Sequence, residues 1–210
     1  MNDQRLQYIS SGETAKEQYN NILRALDHGV DWVQLRFKNA PMQDLQHLAE
    51  RIRMLKGNYD FTLIVNDHVK LVSDLDLDGV HLGLDDMPIR TARELIGPHK
   101  IIGGTANTFD QVKRRVKEKC NYIGLGPLRF TKTKDNLSPI LGLDGYKEII
   151  DRCPNVTPPI FAIGAVNMED ITPLRRLGVF GVAMSKEIES RLQQPNYINS
   201  IKKLLYAKYA

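Results

Sequence analysis

A chain of 210 residues, 42% of them hydrophobic, is long enough to bury a core of its own and suits one domain. Charged residues make up 26% and the formal net charge is +4, with Lys and Arg interspersed among Asp and Glu, so the charge reads as a solvated surface rather than a nucleic-acid stripe; a local basic pocket for an anionic substrate stays open. The two cysteines, Cys120 and Cys153, have neither metal-ligand spacing nor a disulfide framework, the N-terminus does not read as a signal peptide, and no apolar run is long enough to cross a bilayer, so a cytoplasmic protein without a membrane partner is expected.

Short β-like runs alternate with amphipathic helical stretches from end to end. Arg5–Ser10 is the first predicted strand; a helix over Ala15–His28 follows, opened by Ser11-Gly-Glu-Thr14 and closed by Gly29. Trp32–Arg36 is the second strand and Gln43–Lys56 its helix; Phe61–Asn66 is the third, with a short helix over Val69–Leu75. Gly79–Leu82 is the fourth strand, and Pro88 suits an early position of the next helix. Lys100–Gly103 is the fifth strand, before a helix over Phe109–Lys119. Tyr122–Gly126 is the sixth, followed by a long loop and a helix over Asp144–Arg152. Pro159–Ile163 and Met168–Leu177 form the seventh unit, Val179–Met184 is the eighth strand, and a helix over Tyr197–Tyr206 closes the chain.

Eight βα units in this length predict an α/β protein with one domain over residues 1–210, a (β/α)8 TIM barrel. A doubly wound open sheet is disfavoured, because it would gather functional residues near one switch point, whereas here they recur after strands from both ends of the chain.

Those residues mark the rim. Side chains alternate along a strand, so Trp32, Gln34, Arg36 and, if the extension persists, Lys38 share one face, while Val33, Leu35 and Phe37 share the other. Two cations and an amide facing inward predict an anion-binding wall at the mouth, where charge can be hydrated or paired. Asn66 points the same way from the third strand. Asp67 and Asp86 each follow a strand; alone, either reads as a helix N-cap, but together they suit Mg²⁺, which takes one or two carboxylates and leaves other positions to water and phosphate. Asp85 is the alternative second ligand, and His81 is read as structural, since a hard oxygen site needs no imidazole. The loop Gly126–Asp135 carries Thr131, Lys132, Thr133 and Lys134 and predicts a phosphate clamp. Ile163-Gly164-Ala165 and Met184-Ser185-Lys186, at the ends of the last two strands, predict a second, backbone-rich anion subsite.

In order along nearly the whole chain, Gln34-Leu-Arg-Phe-Lys38, Val65-Asn-Asp67, Gly79-Val-His-Leu-Gly83 with Asp86, Ile102-Gly-Gly-Thr105, Gly124-Leu-Gly-Pro127 with Thr131-Lys-Thr-Lys134, Ala162-Ile-Gly164 and Gly181-Val-Ala183 resemble the thiamine-phosphate synthase family. The resemblance implies an enzyme of thiamine biosynthesis. It would condense 4-amino-2-methyl-5-(diphosphooxymethyl)pyrimidine with thiazole phosphate, plain or carboxylated, releasing pyrophosphate. It implies Asp67 and Asp86 as Mg²⁺ ligands; Gln34, Arg36, Lys38, Asn66, Thr105 and Lys134 around the pyrimidine pyrophosphate; and Thr131, Lys132, Thr133, Gly164, Ser185 and Lys186 around the thiazole phosphate. Arg36, Lys38 and Lys134 are then the cations that stabilise the departing pyrophosphate.

Some positions depart from the family pattern. Phe37 stands where Glu is usual, Thr105 replaces Ser, Ala165 replaces Gly, and Lys186 takes the place of a phosphate-contacting Ser. The expected partners are small phosphorylated molecules, with no nucleic acid; a homo-oligomer is compatible with the sequence. A thiazole tautomerase of the same fold, or a non-catalytic thiazole-phosphate binding protein, are the alternatives, and neither needs both aspartates or Lys134.

Overall fold

The computed structural model describes residues 3–130, 139–153 and 157–209. Eight parallel strands close into a barrel in sequence order: β1 Leu6–Ile9, β2 Trp32–Leu35, β3 Thr62–Asn66, β4 Gly79–Leu82, β5 Ile101–Ala106, β6 Tyr122–Leu125, β7 Ile160–Ala162 and β8 Gly181–Met184. The register of β1 against β8, Leu6 beside Val182 and Tyr8 beside Met184, completes the ring. The predicted fold class is therefore the observed one.

Helices α1 Ala15–Asp27, α2 Met42–Met54, α3 Val69–Asp74, α4 Ile89–Ile96, α5 Phe109–Lys117, α6 Gly142–Asp151, α7 Ile171–Arg176, α8 Lys186–Arg191 and α9 Tyr197–Tyr206 cover the barrel. None of the described helices is long and apolar enough to cross a membrane. Local signals set several ends. Thr14 caps α1 through the Glu17 N–H at 3.2 Å, while the Glu17 side chain accepts the Thr14 N–H at 3.1 Å, a capping box. Gly97, at φ +81, stops α4.

Alternation along the strands separates two cores. Val33, Leu35, Leu63, Val65, Val80, Leu82 and Ile123 pack outward against α1–α5 residues such as Ile22, Leu48, Val72 and Ala92. Inside, Trp32, Ile64, Tyr122 and Phe161 form a separate plug. Trp32 meets Tyr122 and Phe161 edge-on, each at 5.1 Å between ring centres. This plug fills the barrel beneath a polar layer.

Element ends shift by a few residues from the sequence reading, and the following differences bear on the site. β5 runs on to Ala106, past the predicted stop at Gly103, because Gly103 and Gly104 are places of close approach rather than a turn: a Cβ at Gly103 would strike the Tyr122 ring, and one at Gly104 would lie 2.8 Å from the Arg115 side chain. Pro88 precedes α4 as its capping residue instead of lying inside it. β2 ends at Leu35, so extension does not persist to Lys38; Lys38 is exposed and is followed by a turn residue, Asn39, at φ 61.

Candidate active site

The C-terminal ends of the strands surround an open cavity of about 870 Å³. Its floor is a chain of hydrogen bonds between side chains that point inward from five strands. Gln34 donates to Gln7 Oε1 (3.0 Å) and Gln7 Nε2 donates to Tyr122 Oη (3.1 Å). Tyr122 Oη meets His81 Nδ1 (2.8 Å), and His81 Nε2 meets Thr105 Oγ1 (3.0 Å). All five residues are buried, and in a low-dielectric barrel each polar atom must be paired or it costs stability. Burial pushes the Tyr122 phenol well above its ordinary value, so the ring stays neutral and can donate. This layer can present a fixed pattern of donors and acceptors to a flat polar ring.

Beside it lies a charged corner. Asp67 follows β3 in the left-handed region, φ 65, yet its N–H still donates to the His81 carbonyl at 2.9 Å, which holds the strained residue on the sheet. Its carboxyl meets that of Asp86. Burial, then the hydrogen bond and charge of Asp86, push Asp67 up to about 7, against the pull of Lys38 and Arg36. Asp86 Oδ2 also accepts the Gly83 N–H at 2.6 Å. Neither aspartate caps a helix: His68 and Pro88 occupy those positions, and neither makes a capping bond through its side chain. Asp85 is exposed, while Asp86 is the residue that meets Asp67. Two carboxyls held together, with only oxygen donors between them, suit a hard divalent cation. Arg36 lines the cavity, and burial pulls its guanidinium below its ordinary value while Asp67 pulls it back up. Asn66 lines both the cavity and a smaller hollow of about 190 Å³ that holds Phe37, Lys38, Asp67 and His68.

The far wall comes from the last strands. Gly164, Ala165, Ser185 and Lys186 all line the cavity. Gly164 sits at φ +92, and a Cβ there would press into Pro127 at 2.5 Å, so this glycine lets two loops meet as well as baring backbone to the cavity. Asp170 takes both Arg129 nitrogens, at 2.6 and 2.5 Å, and ties the segment after β6 to the one after β7. The predicted clamp residues Thr131, Lys132, Thr133 and Lys134 lie outside the described residues.

The structure thus brings Gln34, Arg36, Asn66 and Thr105 to one cavity wall, with Asp67, Asp86 and Lys38 at its edge, and Gly164, Ser185 and Lys186 opposite. The reading of His81 as structural misses that it lines the cavity and fixes the Thr105 hydroxyl. Gln7 and Tyr122 were not singled out in the sequence. A lone Gln between Leu6 and Tyr8 was the available signal for one, and Gly103, which opens space for the ring, for the other.

Comparison with known proteins agrees with this geometry. Residues 6–188 match the model of a protein family described as thiamine monophosphate synthase. A thiamine-phosphate synthase of Flavobacterium johnsoniae is 48% identical over 205 residues, 97% of each chain. One from Flavobacterium psychrophilum is 48% identical over 183 residues, 86% of this chain and 89% of its own. The solved structure of a thiamine phosphate pyrophosphorylase from Pyrococcus furiosus superposes with a TM-score of 0.81 at 26% identity, covering 97% of this chain and 98% of that one. With an eight-stranded barrel, a polar floor and paired carboxyls already in place, these likenesses settle the assignment: this chain belongs to the thiamine monophosphate synthase family, enzymes that are transferases of thiamine biosynthesis.

Proposed function

We propose that the chain joins an aminopyrimidine-methyl pyrophosphate to a thiazole phosphate, plain or carboxylated, giving thiamine phosphate and pyrophosphate, with Mg²⁺ held by Asp67 and Asp86. The observation that carries this reading is the charged corner: two carboxyls meet beside Arg36 and Lys38 at the edge of a cavity with a polar floor. A protein that only isomerised or bound a thiazole phosphate would have no use for that corner.

Bound there, Mg²⁺ would supply positive charge for the pyrophosphate oxygens. Gln34 and Thr105, held by Gln7 and His81, orient the pyrimidine; Arg36, Lys38 and Asn66 bind the pyrophosphate. The bond from the methylene carbon to the pyrophosphate oxygen breaks, and its electron pair leaves with pyrophosphate. The electron-rich aminopyrimidine stabilises the resulting carbocation, and the thiazole nitrogen lone pair then forms the new carbon–nitrogen bond. Arg36 and Lys38, with Lys134 from the loop after β6, stabilise the charge that grows on the leaving group. Gly164, Ser185 and Lys186 hold the thiazole phosphate on the opposite wall. No protein nucleophile is required, and shielding the cation from water is the work of the barrel's interior.

The test is direct. Purified protein with both substrates and Mg²⁺ should form thiamine phosphate and pyrophosphate in equal amounts. Asp67→Asn and Asp86→Asn should each lower turnover by orders of magnitude while leaving the protein folded, through the loss of several kcal/mol, roughly, of charge stabilisation. Full activity in EDTA would remove the metal from the reading. Thiazole-phosphate binding without pyrophosphate release would favour a binding protein, and isomerised thiazole phosphate as the only product would favour a tautomerase.

A further inference from the structure

Beneath the charged corner lies a residue that the proposed chemistry does not use. Arg115, on α5, is 1% exposed. Its side chain passes over Gly104, where a Cβ would come within 2.8 Å of both Cδ and Nε, so the path exists only because that strand residue has no side chain. The guanidinium then makes three bonds. Nη1 meets Glu118 Oε2 at 2.8 Å, within the helix region. Nε donates to the Thr105 carbonyl at 2.9 Å and Nη2 to the Gly83 carbonyl at 2.7 Å.

Those two carbonyls belong to the residues that present the site. The Gly83 N–H holds Asp86, and the Thr105 hydroxyl meets His81. Arg115 therefore holds the main chain of both segments. Burying a guanidinium is costly unless its donors are met. A Met or Leu would fill similar space at no such cost, but would leave both carbonyls unheld. A planar fork can reach two carbonyls and a carboxylate at once; a lysine ammonium cannot match that geometry.

We propose that Arg115 is a positioning residue: it locks the ends of β4 and β5 together, and so sets where Asp86 and the Thr105 hydroxyl stand. This rests on the reading of Asp67 and Asp86 as the metal ligands. Groups one step behind a metal ligand commonly set its affinity, because a ligand free to drift must be ordered when the ion binds.

The experiment measures Mn²⁺ binding to the substrate-free enzyme by electron paramagnetic resonance, alongside kcat, KM and melting temperature in EDTA. The variants are Arg115→Met, Arg115→Lys and Gly104→Ala, the last of which keeps the guanidinium but crowds its stem. Leu48→Ala, a core truncation on α2, controls for lost stability alone. Arg115→Met should raise the Mn²⁺ dissociation constant on the order of ten- to a hundred-fold and lower kcat, with Arg115→Lys between it and wild type. KM for the thiazole phosphate should stay near the wild-type value, and Leu48→Ala should lose melting temperature with Mn²⁺ binding intact. If Arg115→Met does not fold, Gly104→Ala and Arg115→Lys decide by the same shift. Wild-type Mn²⁺ affinity in the folded Arg115 variants would overturn the positioning role alone. Failure of the wild type to bind Mn²⁺, or undiminished binding by Asp86→Asn, would overturn the metal reading and this role with it.

Discussion

Asp67 shows how much one residue can carry. It sits in a backbone conformation that costs about 1–2 kcal/mol for most residues, less for Asp, and its carboxyl meets that of Asp86. Burial and Asp86 raise its affinity for a proton to about 7, whereas an unfolded aspartate titrates near 3.9, roughly. The folded protein therefore binds the proton more tightly than the unfolded chain. The stability from this group is complete below about pH 4 and is lost as pH rises through about 7. In EDTA, thermal denaturation should show a fall in melting temperature across that window, and Asp67→Asn should lack that component. Excess Mg²⁺ at the upper end of the window should restore the loss, since an ion that binds only the folded state stabilises it. A wild-type profile in EDTA that superposes on that of Asp67→Asn would refute the shared-proton account. Phe37 teaches a smaller lesson. Alternation assigns it to the outer core, where it does pack, but it is only half-buried and also lines the small hollow beside Lys38, because the strand has already ended.

Among the elements, α1 and α5 carry their own start signals in Thr14 and Thr108, while the strands depend on their partners. The Thr14–Glu17 box opens α1 on the cavity side of the barrel, but neither residue lines the cavity. Thr14→Ala should cost about 1 kcal/mol in urea denaturation and leave kcat unchanged. A drop in kcat without a change in stability would place this end of α1 in the catalytic cycle instead. β5 could not be bounded from local pattern, because its glycine pair is compatible with a turn and with a strand. The deciding facts are the Tyr122 ring and the Arg115 stem, contributed from 19 and 11 residues further on by β6 and α5. The loops after β3 and β4 are similar: each aspartate reads as a cap until the helix that follows is seen to start without it.

For the whole molecule, closure of the barrel brings the two ends of the chain together. Arg5, at the edge of β1, lies over the rings of Phe180 and Tyr206 at 5.0 and 5.1 Å and donates to the Leu205 carbonyl at 3.1 Å. It joins the first strand, the last strand and α9. Arg5→Ala should lower hydrogen-exchange protection across residues 197–206 and reduce stability by about 1–3 kcal/mol, with kcat retained, since this contact lies away from the cavity. Unchanged protection in α9 would mean that its apolar face alone holds it down.

The sequence by itself determined the architecture and most of the rim. Eight alternations of period two with helical periodicity leave few ways to bury both faces of every strand, and the polar residues that interrupt the strand ends have nowhere to be solvated except the mouth. Gln34, Arg36, Asn66, Asp67 and Asp86 were legible for that reason, and Thr105 through the family resemblance alone. Only the tertiary structure decided that Asp86 rather than Asp85 meets Asp67, that Lys38 stands beyond the strand, and that His81 braces Thr105. It alone placed Gln7 and Tyr122 in one floor and ran Arg115 behind two strands through the gap at Gly104. These are contacts between side chains far apart in the chain. Their geometry depends on register around a closed ring, where one strand's glycine is the space for another element's ring or guanidinium, and no local pattern records which partner will fill it.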